Sequence, residues 1–226
     1  MNEGDELKVY VTQIRRNNMK ILIAGSHGTT GKQVVEILAR NDVYESYAMI
    51  RDEEQADEMR RLGADHIVVA DLEGDVTEAV QGMDAVIFAA GSKGKNVVGV
   101  DQQGAEKLTD AAKAAGVSHF VMLSSIGTDN PGGELKEYLI AKAKADEHLQ
   151  QSGLSYTIVR PGHLGNGAPT GKIKVAEHFS ERSNTQIPRA DVAAVLVSAL
   201  EKDNLRNKTF ELLTGDTPIQ EALRQV

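Results

Sequence analysis

The chain reads Met19-Lys20-Ile21-Leu22-Ile23-Ala24-Gly25-Ser26-His27-Gly28-Thr29-Thr30-Gly31-Lys32 near its beginning, where an apolar run meets three glycines spaced three apart. The residues that follow repeat apolar positions with the period of a helix. Gly25 allows a sharp turn after a strand, Gly28 lets the backbone approach a phosphate, and Gly31 lets the helix pack close to the strand. Because the N–H groups at a helix start have no partner within the helix, they face an anion. The pattern predicts a strand, a turn and a helix that bind a pyrophosphate.

Beyond this turn, apolar β-like runs alternate with helical segments, which is typical of a parallel sheet covered on both faces. We predict strands at 20–24, 46–50, 66–70, 84–89, 119–124, 155–159 and 208–213, and helices at 30–40, 53–62, 74–81, 96–115, 134–152 and 189–202. The expected fold is α/β: a Rossmann-like, doubly wound parallel sheet in one domain, residues 19–226, with a small C-terminal substrate region. Residues 1–18 are expected to form a leader outside the core. Residues 162–188, rich in Gly and Pro, are expected to form a mobile substrate loop.

Composition excludes several classes of function. The 226 residues include no cysteine, so disulfides, thiol nucleophiles and thiolate metal sites are excluded. A net charge of −8 argues against a nucleic-acid partner. The histidines show no metal-ligand spacing, so no metal is expected. No long apolar stretch and no secretory signal are present, so we expect no membrane contact and a cytoplasmic location.

The end of the second predicted strand bears on the choice of dinucleotide. Arg51 stands at the position where an adenine ribose would lie, and Asp52 follows it. A guanidinium suits the 2′-phosphate of NADP, whereas a carboxylate binds the ribose hydroxyls of NAD. Arg51 comes first, so NADP is favoured; NAD is the alternative if Asp52 turns toward the ribose.

Later strand ends offer further contacts, because open parallel sheets bind ligands at their carboxyl edge. Asp71 and Leu72 are placed to frame an adenine ring, although Asp71 could equally cap a turn. Small residues at the end of the fourth strand leave room for a ribose and the pyrophosphate. The predicted cofactor contacts are thus Gly25, Ser26, His27, Gly28, Thr29, Thr30, Gly31, Arg51, Asp71, Leu72, Ala89, Ala90, Gly91, Ser124, Lys142 and Pro161.

A second cluster points to proton transfer. Tyr138 and Lys142 are four residues apart on a predicted helix, so they share one face. A lysine ammonium there can stabilise a phenolate and hold a ribose, which suits the tyrosine to act as a general acid or base. Ser124 and Ser125 end the preceding strand, and a serine hydroxyl can orient a substrate oxygen.

The chain resembles the atypical short-chain dehydrogenases/reductases of the NAD(P)-binding, NmrA-like group. The resemblance covers roughly residues 19–226 and is carried by Gly25-Ser26-His27-Gly28-Thr29-Thr30-Gly31, Asp71-Leu72, Ala89-Ala90-Gly91, Ser124-Ser125, Tyr138 with Lys142, Tyr156-Thr157-Ile158-Val159-Arg160-Pro161-Gly162 and Phe210-Glu211-Leu212-Leu213-Thr214-Gly215-Asp216-Thr217-Pro218-Ile219. It implies Ser125, Tyr138 and Lys142 as a catalytic set, with Ser124 as the alternative serine. It also implies that Pro161 borders the nicotinamide. The chain departs from the pattern at Asp101, where extended members carry asparagine.

Four functions remain open at this stage. The leading one is NADPH-dependent reduction of a small-molecule carbonyl. The alternatives are a sugar-nucleotide epimerase or dehydratase, a flavin or quinone reductase, and an NmrA-like protein that senses the NADP redox state without catalysis. The expected partner is a small-molecule substrate, with a protein partner or a homo-oligomer left open.

Overall fold

The computed structural model describes residues 18–180 and 185–226. The strands are β1 Met19–Ala24, β2 Tyr44–Ile50, β3 His66–Val69, β4 Ala85–Phe88, β5 His119–Leu123, β6 Tyr156–Pro161, β7 His163–Gly165, β8 Lys172–Ala176, β9 Gln186–Pro188, β10 Lys208–Thr214 and β11 Thr217–Pro218. The helices are α1 Thr29–Leu38, α2 Ala56–Arg61, α3 Ala105–Ala114, α4 Lys136–Gln151, α5 Arg189–Ser198 and α6 Ile219–Ala222.

The main sheet has the order β11-β8-β10-β6-β5-β4-β1-β2-β3. The strands from β3 to β10 in this order are parallel, and β8 runs antiparallel to both β10 and β11. Strands β1, β2 and β3 are added to the sheet in one direction, and the strands from β4 onward are added on the other side of β1. This change of direction opens a crevice between the carboxyl ends of β1 and β4. The predicted Rossmann-like α/β fold is therefore confirmed.

The two faces of the sheet explain why β1 reads as a continuous apolar run. Ile21 and Ile23 face one core layer, which includes residues of α1 and α5, whereas Leu22 and Ala24 face the other, which includes residues of α3 and α4. Successive strand residues point to opposite faces, so a sheet covered on both sides has no polar face.

Two predicted helices differ from the structure. No α-helix forms at 74–81, which holds only the 3-10 turn Glu78–Val80. The Asp75 carboxylate accepts a hydrogen bond from Thr77 N (2.9 Å), and this local turn competes with a helical start. The helix predicted at 96–115 begins as the π-helical segment Val97–Gly104 and becomes α-helical only at Ala105.

The predicted loop at 162–188 contains three short strands in its described part. β7 pairs with β9 in a separate two-stranded sheet, and β8 extends the main sheet beside β10. The leader predicted at 1–18 lies outside the described residues except for Asn18, as do 181–184 of the predicted loop. Within the described ranges, none of the helices combines the length and apolar character needed to cross a bilayer.

His119, at the start of β5, makes stability depend on pH. Burial, assisted by the positive charge of Arg206, lowers the pKa of His119 from 6.5 to about 4. Between pH 6.5 and about 4 the unfolded chain therefore binds a proton at His119 that the folded chain does not bind. The free energy of unfolding has its full value above pH 6.5 and decreases as the pH falls toward 4. We expect the free energy of unfolding to drop by about 1–3 kcal/mol more in the parent than in His119→Gln over this interval. Urea unfolding at a series of pH values measures the difference, and parallel curves for the two proteins would contradict it.

Candidate functional site

A cavity of about 780 Å³ occupies the crevice at the carboxyl edge of the sheet. It brings together most of the residues that the sequence singled out. The predicted residues that line it are Gly25, His27, Gly28, Thr29, Thr30, Arg51, Asp71, Leu72, Ala89, Ala90, Gly91, Ser124, Tyr138 and Lys142. Ser26, Gly31, Ser125 and Pro161 are not in its lining.

The glycine turn has the geometry that its spacing suggests. Gly25 has φ +81°, and a Cβ there would lie 2.5 Å from Ala90 Cα. A Cβ on Gly31 would lie 2.2 Å from Gly25 O, so helix α1 approaches the turn as closely as backbone permits. Gly28 faces the cavity, with only Gly25 O (3.0 Å) and Ala89 O (4.0 Å) near the position of a Cβ. The turn thus leaves backbone exposed to a ligand at the start of α1.

Two side chains of the turn region have structural partners. Ser26 is fully buried and its hydroxyl donates to Met49 O (2.7 Å), which ties the turn to β2. His27 Nε2 lies 2.8 Å from a carboxylate oxygen of Glu58, and Lys32 Nζ lies 2.6 Å from the other. The hydrogen bond from Lys32 is the main cause that lowers the pKa of Glu58 below its usual range. Ser26 therefore supports the turn from outside the cavity, while His27 borders the cavity itself.

The structure separates the roles of Arg51 and Asp52. Arg51 lines the cavity, whereas the Asp52 carboxylate accepts a hydrogen bond from Glu54 N (3.2 Å) and caps a 3-10 turn. Asp71 lines the cavity, and its carboxylate accepts from Glu73 N (3.0 Å), which is the turn-capping role. Its contact with an adenine ring stays a prediction. Of the two residues that follow β2, Arg51 is the one that lines the cavity.

Lys142 is deeply buried in the wall beside Tyr138. Its Nζ donates to Leu123 O (3.1 Å) and to Ala90 O (3.5 Å), so it joins the ends of β5 and β4. It lies 3.8 Å from Asp101 Oδ1 and 5.5 Å from the centre of the Phe88 ring. The ammonium is therefore held by the strand ends, and its charge is opposed by a carboxylate.

Ser124, and not Ser125, is the serine on the cavity. Consecutive residues at a strand end point to opposite sides. Ser125 is directed away from the cavity, and its hydroxyl donates to Ile126 O (3.2 Å). Ser124 donates its proton to Asp146 Oδ2 (2.9 Å).

The Ser124 hydroxyl is oriented by a buried ionic network. Asp146 Oδ2 also accepts from Arg160 Nε (2.9 Å), and Arg160 donates in turn to both oxygens of Asp129 (2.8 and 2.9 Å). Burial raises the pKa of Asp146 and the Arg160 guanidinium opposes this rise. Because arginine can only donate, Oδ2 is an acceptor and the Ser124 proton is committed to it. Ser124 therefore has no hydroxyl proton left to donate to a ligand.

Several cavity residues escaped the sequence reasoning. Leu135, Leu164 and Arg189 also line the cavity, and Arg189 donates to Asn166 Oδ1 (2.6 Å). Leu164 and Arg189 are brought there by β7 and by the start of α5, elements far along the chain. No local motif distinguished these residues from ordinary surface positions.

One group of possible metal ligands occurs within the described residues, away from the cavity lining. One ligand atom each of Asp129, His178 and Glu211 lie within 4.8 Å of one another. The Arg160 guanidinium already bonds both oxygens of Asp129, so a cation is in place at this carboxylate. The absence of a metal stays a prediction.

The fold and the cavity define a dinucleotide-binding α/β protein. A family model described as NAD(P)H-binding matches residues 25–203. The chain therefore belongs to this NAD(P)H-binding family, a family of Rossmann-like oxidoreductases.

Similar proteins carry different functional names. The uncharacterized sugar epimerase YhfK of Bacillus subtilis (strain 168) is 39% identical over 218 residues, covering 92% of this chain and 100% of the relative. A solved structure from Bacillus halodurans, provisionally named an NAD-dependent epimerase/dehydratase, is 41% identical with a TM-score of 0.89, covering 92% of this chain and 100% of its own. Sanguinarine reductase of Eschscholzia californica is 29% identical, covering 91% of this chain and 93% of the relative. Among these similar proteins, two are named for epimerase activity and one for reductase activity.

Proposed function

We propose that this protein is an NADPH-dependent reductase of a small-molecule carbonyl. The observation that carries the proposal is one continuous cavity that runs from the glycine turn to Tyr138 and Lys142. The cofactor, when bound, supplies a hydride to the carbonyl carbon. The protein must then place the substrate, exclude water and supply one proton to the carbonyl oxygen.

Each of these tasks has a candidate residue in the cavity. Gly28 and the start of α1 would hold the pyrophosphate, and Arg51 the 2′-phosphate. Tyr138 would donate its phenolic proton to the carbonyl oxygen and regain one from solvent. Ser124 would accept a hydrogen bond from an N–H or O–H group of the bound molecules, since its own proton is committed to Asp146. This differs from the role expected of the serine from sequence, in which its hydroxyl donates to the substrate oxygen.

Other acceptors are compatible with the same site. The name of sanguinarine reductase supports a reductase, and the apolar side chains of Leu135 and Leu164 in the cavity lining suit a flat ring. A flavin or quinone reductase is therefore the second candidate.

We also place the chain in the NmrA-like group of atypical short-chain dehydrogenases/reductases, because it shares the sequence motifs of that group. A protein of this group that senses the NADP redox state without catalysis would use the same cavity.

A substrate panel tests the proposal. Oxidation of NADPH is followed by its absorbance with aldehydes, ketones, quinones and flavins. Sugar nucleotides are incubated with the protein and separated by chromatography, because epimerisation causes no net oxidation of the cofactor. Turnover of an aldehyde or ketone supports the proposal, and turnover confined to flavins or quinones supports the second candidate. A protein that binds NADPH but turns over no acceptor would be the sensor, and epimerisation of a sugar nucleotide would refute the proposed reductase.

The choice of cofactor gives a separate prediction for Arg51. A charge-assisted contact with the 2′-phosphate is worth about 1.5–3 kcal/mol, so NADPH should bind about 10–100-fold more tightly than NADH. Arg51→Ala should remove this preference while leaving NADH affinity nearly unchanged. Calorimetric titration of the parent and of Arg51→Ala, each with NADPH and with NADH, measures this preference. Arg40→Ala is a suitable control, because Arg40 is exposed and not in the cavity lining. Equal affinities in the parent, or a preference that survives Arg51→Ala, would contradict the assignment.

A further inference from the structure

Asp101 contributes a buried carboxylate oxygen that has no hydrogen-bond donor among the described residues. Asp101 is 1% exposed, lines the cavity and belongs to the π-helical segment Val97–Gly104. Its Oδ2 accepts a hydrogen bond from Ser92 N (3.0 Å), whereas its Oδ1 is left without a donor. A buried acceptor without a donor costs free energy, and π-helical turns occur frequently at functional sites. Both features indicate a group that a ligand completes.

Two neighbours define where Oδ1 lies. Lys142 Nζ is 3.8 Å away, which is too long for a direct hydrogen bond, and its contacts with Leu123 O and Ala90 O occupy two of its three protons. A Cβ on Gly91 would lie 3.2 Å from Oδ1. Gly91 is exposed and lines the cavity, so residue 91 has no side chain that would cover Oδ1.

We propose that Asp101 is a further ligand of the nicotinamide ribose: it would bind the same hydroxyl group that Lys142 is expected to hold. The hydroxyl would donate its proton to Asp101 Oδ1 and accept one from Lys142 Nζ. An oxygen at the usual distance of about 2.8 Å from both atoms can bridge the 3.8 Å between them. The inference rests on the proposed position of the nicotinamide near Tyr138, but it does not require that any substrate is reduced.

The charges explain why this position takes a hydroxyl and not a phosphate. A carboxylate repels an anion, whereas a neutral hydroxyl can satisfy the acceptor and the donor at once. The glycine turn, which lines the same cavity, offers backbone N–H groups that favour an anion. Asp101 would therefore fix the orientation of the dinucleotide, with its phosphates at the turn and its second ribose at Lys142.

Calorimetric titration of Asp101→Asn with two ligands tests the proposal. NADPH contains the nicotinamide ribose, and adenosine 2′,5′-bisphosphate lacks it. Because Ser92 N–H requires an acceptor, the asparagine oxygen should take that position and place its NH₂ group where Oδ1 was. We expect NADPH to bind about 10–100-fold more weakly than to the parent, and the bisphosphate to bind within about twofold.

Asp71→Asn is the matched control, since Asp71 lines the adenine end and its loss should act equally on both ligands. An unchanged affinity of Asp101→Asn for NADPH, or equal weakening of both ligands, would overturn the inference. The structure of the parent with bound NADP⁺ tests it without any variant, and a complex in which no ligand hydroxyl lies within hydrogen-bond distance of Asp101 Oδ1 also overturns it. If the parent prefers NADH, NADH and ADP replace NADPH and the bisphosphate in these titrations. That preference would contradict the assignment of NADPH as the cofactor and leave the test of Asp101 intact. Failure of the substrate panel, with the effect of Asp101 intact, refutes the reductase and not the ribose site.

Discussion

Tyr138→Phe is expected to lower the turnover of a carbonyl substrate by about 10²–10⁴-fold, the usual contribution of general acid catalysis. The variant loses only the phenolic oxygen, so the ring still lines the cavity. NADPH affinity should therefore stay within about twofold of that of the parent, since the cofactor loses at most one weak hydrogen bond to the phenolic oxygen. Steady-state rates with the best aldehyde or ketone of the panel, together with calorimetric titration of NADPH, measure both quantities.

Tyr156→Phe is the matched control for this experiment. Tyr156 begins β6, at the edge of the sheet opposite the cavity, and it is not in the cavity lining. The control should retain the activity of the parent. Undiminished turnover in Tyr138→Phe would show that the proton comes from elsewhere, for example from water in a flavin or quinone reductase.

Gly28→Val should abolish dinucleotide binding while leaving the protein folded. The backbone of Gly28 has φ −70° and ψ 161°, which any residue adopts, so the substitution introduces no strain in the turn angles. The new side chain would meet Gly25 O at 3.0 Å and project into the cavity where the pyrophosphate approaches the start of α1. Loss of one or two charge-assisted hydrogen bonds to phosphate weakens binding by about 10²-fold or more. Calorimetry with NADPH, and thermal unfolding of the free protein, provide the two measurements.

Gly132→Val serves as the control for this substitution. Gly132 is exposed and extended, and the nearest atom to a Cβ there is Asn130 O at 4.0 Å. It should bind NADPH like the parent. If Gly28→Val also binds NADPH like the parent, the glycine turn is a structural feature only and the phosphate site must lie elsewhere.

The features of the cavity wall that were predictable from sequence depend on short-range geometry. The turn at Gly25 and Gly31 follows from a positive φ and from contact between backbones within a few residues. Tyr138 and Lys142 line the same cavity because they are one helical turn apart. The parallel sheet was predictable because strands covered on both faces carry continuous apolar runs.

The parts that sequence missed depend on partners distant along the chain. Asp101 and Lys142 lie on different elements, and neither residue identifies the other as its counter-charge. The choice between Ser124 and Ser125 required knowledge of which side of β5 faces the cavity. The strand β8 was missed because its pairing with β10 joins the short segment Lys172–Ala176 to the sheet from within a glycine-rich region.

The sequence by itself determined the order of the parallel strands of the main sheet, the glycine turn after β1 and the placement of Tyr138 and Lys142 on one helix face. Each of these follows from local backbone geometry or from the periodic burial of apolar side chains. Tertiary structure alone decided that Ser124 gives its proton to Asp146, that Asp52 caps a turn while Arg51 faces the cavity, and that Asp101 opposes the charge of Lys142. These are properties of charges and hydrogen bonds between elements, and the distances that govern them exist only once the sheet has assembled.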